Sequence, residues 1–68
     1  MIVALNGRPA ELRDGASVAE AIAVAGVAGA ERGVAAAVDG AVVPRSQWES
    51  VVLTEGAEVE VVKAVQGG

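Results

Sequence analysis

Two groups of residues in this 68-residue chain have types and spacings that chemistry can use. The first is Gln66-Gly67-Gly68. Two residues without side chains can carry a main-chain carboxylate into a channel that any Cβ would obstruct. The carboxylate of Gly68 is therefore a candidate reacting group, with Gly67 as the slim approach to it. A carboxylate is a poor electrophile at neutral pH and must first be activated, most simply as an acyl-adenylate formed with ATP. That step needs Mg²⁺ and a cradle for the polyphosphate. The chain has no GxxxxGK[ST] loop, and Lys63 stands alone, so activation is expected from a partner enzyme. The plain alternative for these residues is a loose chain end.

The second group is Glu58 and Glu60. On a strand they share a face about 6.5–7 Å apart, a separation that resembles the carboxylate pairs of glycoside hydrolysis. Nothing in the sequence supplies a cleft, and a solvated strand face explains them better. The serines have no base: the chain contains no His, and Ser17 is explained as a helix cap. Without His or Cys there is also no imidazole or thiolate for a metal, and no disulfide. No cofactor or metal is expected on the chain itself.

Sixty-eight residues make one domain with a thin core and little room for a deep pocket. The apolar fraction is 53%, mostly alanine and valine, and Trp48 is the only aromatic residue, so closely spaced layers are expected. The formal net charge of −4 and the scattered basic residues disfavour nucleic acid and favour a partner with a basic docking surface. No apolar run approaches the roughly 20 residues that span a bilayer, and Met1–Leu5 does not read as a signal peptide. A cytoplasmic protein is the expectation.

These groups must be positioned by short elements. Ile2 to Leu5 ends at Asn6-Gly7, a hairpin signal, and a second arm runs from about Pro9 to Arg13. Val3 and Leu5 facing inward, opposite Leu12 or Ala10, is one parity; Ile2 and Ala4 inward is the other. Ser17-Val18-Ala19-Glu20 is a capping box. Val18, Ala21, Ile22 and Ala25 form one apolar stripe on a helix of about nine residues that ends at Gly26. Val34 to Val38 and Ala41 to Val43 flank a second hairpin signal, Asp39-Gly40, and Pro44 stops the return arm. Arg45 to Trp48 reads as a tight turn or 3₁₀ segment. Trp48 reads as a core plug, with interface exposure as the alternative; Arg45 holds that turn or meets an acidic partner residue. Val51 to Leu53 is ambiguous. Ala57 to Val65 is the last strand, with Val59 and Val61 inward and Val62 on an exposed apolar patch. The order predicts an α+β fold: a mixed four- to five-stranded sheet packed on one main helix. The last strand is expected in the centre beside the first, and the strand after the helix is expected parallel to its partner. The domain spans 1–65 and a flexible reactive tail spans 66–68.

Val42-Val43-Pro44-Arg45-Ser46-Gln47-Trp48 after the Asp39-Gly40 turn resembles the V-P-R-x-x-W segment of the thiamine-biosynthesis sulfur carriers, the ThiS family. Leu5-Asn6-Gly7, the Gly67-Gly68 end, the length and the element order are also similar to that family. The resemblance implies a ubiquitin-like β-grasp fold and a protein cosubstrate rather than an enzyme. It further implies that an adenylating enzyme of the ubiquitin-activating type, using ATP and Mg²⁺, converts Gly68 to an acyl-adenylate. Sulfur from a cysteine desulfurase system then makes Gly68 a thiocarboxylate, which supplies thiazole synthase as the thiazole of thiamine is built. It assigns no chemical role to Pro44, Arg45 or Trp48. Three other readings share parts of this pattern: the small subunit of molybdopterin synthase, a protein modifier that forms isopeptide bonds, and an adaptor that binds through its sheet face.

Overall fold

The computed structural model describes residues 1–26 and 33–63. The described residues form β1 (Ile2–Leu5), β2 (Arg8–Glu11), α1 (Val18–Val24), β3 (Val34–Val38), β4 (Ala41–Val43), a 3₁₀ turn (Arg45–Gln47) and β5 (Glu58–Lys63). The sheet has the order β2-β1-β5-β3-β4, so the last strand lies in the centre, beside the first. This is the β-grasp arrangement expected of the chain.

Both hairpins form where Asn-Gly and Asp-Gly stand. Asn6 and Asp39 have φ of 52° and 49°, and Gly7 and Gly40 follow at 80° and 86°. Two consecutive positive φ values define the turn whose twist matches a two-residue hairpin. β2 starts one residue earlier than expected and ends at Glu11. Its ladder continues through Met1 and Leu12, which exchange main-chain bonds of 2.9 and 2.7 Å. By the antiparallel alternation from that pair, Pro9 falls opposite Ala4 at a position whose N–H would point away from β1.

Inward parity belongs to Val3 and Leu5; Ile2 is exposed and Ala4 half-buried. Val3 faces Ala10, and Leu5 and Val59 are neighbours across the β1–β5 pair. The helix has seven residues rather than nine, with Ala25 as its C-cap and Gly26 at φ 83°. Val18, Ala21 and Ile22 are buried against the inner row of the sheet, Val3, Ala36, Val59 and Val61, with Leu12, Leu53 and Trp48 closing the margins. The capping box is complete: Ser17 Oγ accepts from Glu20 N at 3.4 Å, and Glu20 Oε2 accepts from Ser17 N at 2.9 Å.

The ambiguous segment at 51–53 is extended but pairs with the helix start instead of the sheet. Ser17 and Val52 form an isolated antiparallel bridge, and Leu53 N donates to the carbonyl of Ala16 at 2.8 Å. Val18 N and Ala19 N donate to the carbonyls of Val51 and Trp48. Those are helix N–H groups that have no partner inside the helix.

One topological expectation is corrected. β3, the strand after the helix, is antiparallel to both its neighbours, β5 and β4; the parallel pair is β1 with β5. The crossover rule applies to strands joined in parallel in one sheet. Here β5 takes the place beside β1, and β3 pairs on the far side of it.

Candidate functional site

Gly67 and Gly68, the predicted reacting end, lie outside the described residues, as do the last residues of the predicted strand, 64 and 65. What the structure describes is the element that leads to them. β5 is bonded in parallel to β1 (Ala4 with Glu58, Leu5 with Val59) and antiparallel to β3 from Val38–Val59 to Val34–Lys63. Val59 and Val61 are buried, while Glu58, Glu60, Val62 and Lys63 are exposed. The half-buried pattern read in the sequence is thus present, and Val62 at 58% exposure lies on the open face with Val42 at 75%.

Two side chains from the hairpin turns reach this strand. Asn6 Oδ1 accepts from Val61 N at 2.7 Å, and Asn6 Nδ2 donates to the carbonyl of Val61 at 3.1 Å. Asp39 Oδ1 accepts from Glu58 N at 2.9 Å, beside the main-chain bond from Asp39 N to the Glu58 carbonyl at 2.8 Å. Sequence reasoning read both only as turn residues. Their turn signal was strong enough to account for them, and a bond between positions 55 residues apart leaves no local mark.

The Pro44–Trp48 segment is a structural unit. Trp48 is 4% exposed, and its indole N–H donates to the carbonyl of Val43 at 2.9 Å. The guanidinium of Arg45 lies 4.6 Å from the centre of the indole ring. A cation over a tryptophan face is attracted by the ring's quadrupole. Trp48 is therefore the core plug and not an exposed interface residue, and Arg45 covers it from the solvent side.

The carboxylates do not form a catalytic pair. Glu58 and Glu60 are exposed on the open face of the sheet. Ser17 caps α1, and the Ser50 hydroxyl donates to the carbonyl of Gln47 at 3.2 Å. Among the described residues no group of three His, Cys, Asp or Glu side chains could hold a metal ion, and no helix is long and apolar enough to cross a membrane. An open hollow of about 440 Å³ lies between the β1–β2 hairpin and the end of α1, lined by Leu5, Asn6, Arg8, Pro9, Ala10, Val24 and Ala25. It contains no acid–base pair. What the described residues offer is a central strand bonded on both sides, the last described element before Gly67 and Gly68 in the sequence.

A model of the ThiS family matches residues 3–68. A crystal structure of a thiamine biosynthesis protein (ThiS) from Geobacter metallireducens is similar to this chain with a TM-score of 0.79 and 24% identity, covering 100% of both chains. An NMR solution structure of a thiamine biosynthesis protein from Geobacter metallireducens has a TM-score of 0.78 and 27% identity, covering 100% of this chain and 88% of that one. No curated protein sequence matches.

Proposed function

The chain belongs to the ThiS family, and from that premise we propose that it is a sulfur carrier for the making of the thiazole of thiamine, acted on by enzymes rather than being one. The body to residue 65 is the handle, and residues 66–68 are the reactive tail. An oxygen of the Gly68 carboxylate attacks the α-phosphorus of ATP on an adenylating enzyme, and pyrophosphate leaves. A persulfide supplied through a cysteine desulfurase then adds its outer sulfur to the acyl carbon, and AMP leaves; a thiol reductant cleaves the acyl disulfide so formed and ends in a disulfide with the donor sulfur. The resulting thiocarboxylate is ionised at neutral pH and more nucleophilic than the carboxylate, and thiazole synthase consumes it. ATP and Mg²⁺ belong to the adenylating partner.

The observation that carries this reading is the extent of the family match, which runs through Gly67 and Gly68 and not only the folded body. The test is intact mass spectrometry after incubation with ATP, Mg²⁺, an adenylating enzyme and a sulfur source. The expected result is the mass gain of one oxygen replaced by sulfur, mapped to Gly68, with the same gain absent from a chain lacking Gly68 whose circular dichroism is unchanged. Sulfuration of the truncated chain would refute the assignment.

A further inference from the structure

The two hairpin turns use one device on the same strand. In the parallel pairing of β1 with β5, Asn6 N donates to the carbonyl of Val59 at 2.9 Å. The regular alternation then assigns the Val61 N–H to the main-chain carbonyl of residue 6, and the Val61 carbonyl to the N–H of residue 8. The chain turns back at Asn6-Gly7 before it can make those bonds. The carboxamide of Asn6 makes them instead, accepting at 2.7 Å and donating at 3.1 Å. At the other end of β5, Asp39 and Glu58 stand where an antiparallel pair would exchange two main-chain bonds. One is made, and Asp39 Oδ1 replaces the second.

The residue types follow from the bonds required. Position 39 needs only an acceptor for Glu58 N, which a carboxylate supplies. Position 6 needs an acceptor and a donor side by side, which a carboxamide supplies and a carboxylate does not. Building on the function proposed above, we propose that Asn6 is a positioning residue for activation of the C-terminus. Its side chain lengthens β1 by one rung, so β5, the strand that precedes Gly67 and Gly68 in the sequence, is held from both sides as far as Val61. Asp39 performs the same service at the end of the strand remote from the tail and serves as the internal control.

The experiment compares Asn6→Gly, Asn6→Asp and Asp39→Gly. Glycine suits the positive φ at both positions, so backbone strain is not introduced. Amide hydrogen exchange at Val61 is followed by NMR, and steady-state adenylation is measured with ATP and the adenylating enzyme at a temperature where circular dichroism shows every variant folded. In Asn6→Gly the Val61 amide exchanges about tenfold faster, as loss of its hydrogen-bond partner requires. In the same variant kcat falls by roughly tenfold while KM stays within about twofold, because the docking body is intact and the end is misdirected. Asn6→Asp keeps the acceptor, sets an oxygen against the Val61 carbonyl, and gives an intermediate kcat. Asp39→Gly lowers the unfolding midpoint and keeps kcat. A wild-type kcat in Asn6→Gly, or an equal loss of kcat in Asp39→Gly, overturns the positioning role and leaves the function standing. A wild-type chain that is never adenylated overturns the function and this role together, while the exchange arm still reports whether the clamp exists.

Discussion

Small changes at single positions separate the roles assigned above. Gly67→Ala adds one methyl group to the approach of the reacting carboxylate. It is expected to slow adenylation strongly while the unfolding midpoint stays unchanged; equal adenylation rates for the two chains would remove the narrow-channel argument. Trp48→Phe acts in the opposite sense. It keeps most of the apolar plug but removes the indole N–H bond to the Val43 carbonyl in a buried site. Loss of one hydrogen bond costs about 0.5–1.5 kcal/mol, so the urea midpoint should fall with the slope preserved, and sulfuration of the folded fraction should persist. The sequence made Trp48 legible because one large ring in an alanine- and valine-rich chain must fill the core. Asn6 and Asp39 were only half legible: Asn-Gly and Asp-Gly announce a turn, while the strand their side chains grip is distant in sequence.

Among the elements, α1 depends most on its first turn. Its seven residues are too few to persist alone. Arg13 pairs with Glu20 through bonds of 2.7 and 2.8 Å, and Glu20 also accepts from Ser17 N. The bond from Arg13, then the one from Ser17, holds the Glu20 carboxyl below the usual carboxylate range. A folded-state pKa below the unfolded one favours folding above the unfolded value of about 4.3, and that contribution is lost as the pH falls through the folded value. Glu20→Gln should therefore be less stable than wild type at neutral pH, with the gap closing in acid; urea titrations across that range measure it, and a gap independent of pH would show that the charge is idle. Strand boundaries were legible where hairpin punctuation was strong, as at Val34–Val38 and Ala41–Val43. Pairing direction was not, because β5 is contributed by the far end of the chain and local pattern carries no record of what lies beside it. Val51 to Leu53 was ambiguous for a related reason: its partner is the start of a helix.

Across the whole molecule, the charge of −4 is carried without a basic patch apparent in sequence. Association with an adenylating enzyme through a basic docking surface should then be steered electrostatically. The on-rate is expected to fall as added salt shortens the Debye length from about 30 Å to about 8 Å, and stopped-flow measurement of an on-rate indifferent to salt would exclude steering. The central place of β5 has a further consequence, for the order of events in synthesis. Until Glu58 to Lys63 have been made, the nascent chain holds two hairpins and a short helix with no strand to join them. Val59 and Val61 come after the other four strands, so cooperative closure waits until β5 has been made. A product cut short before that strand stays open to proteases, and the stock of folded handles is thereby kept free of those that have lost the strand leading to the reactive end.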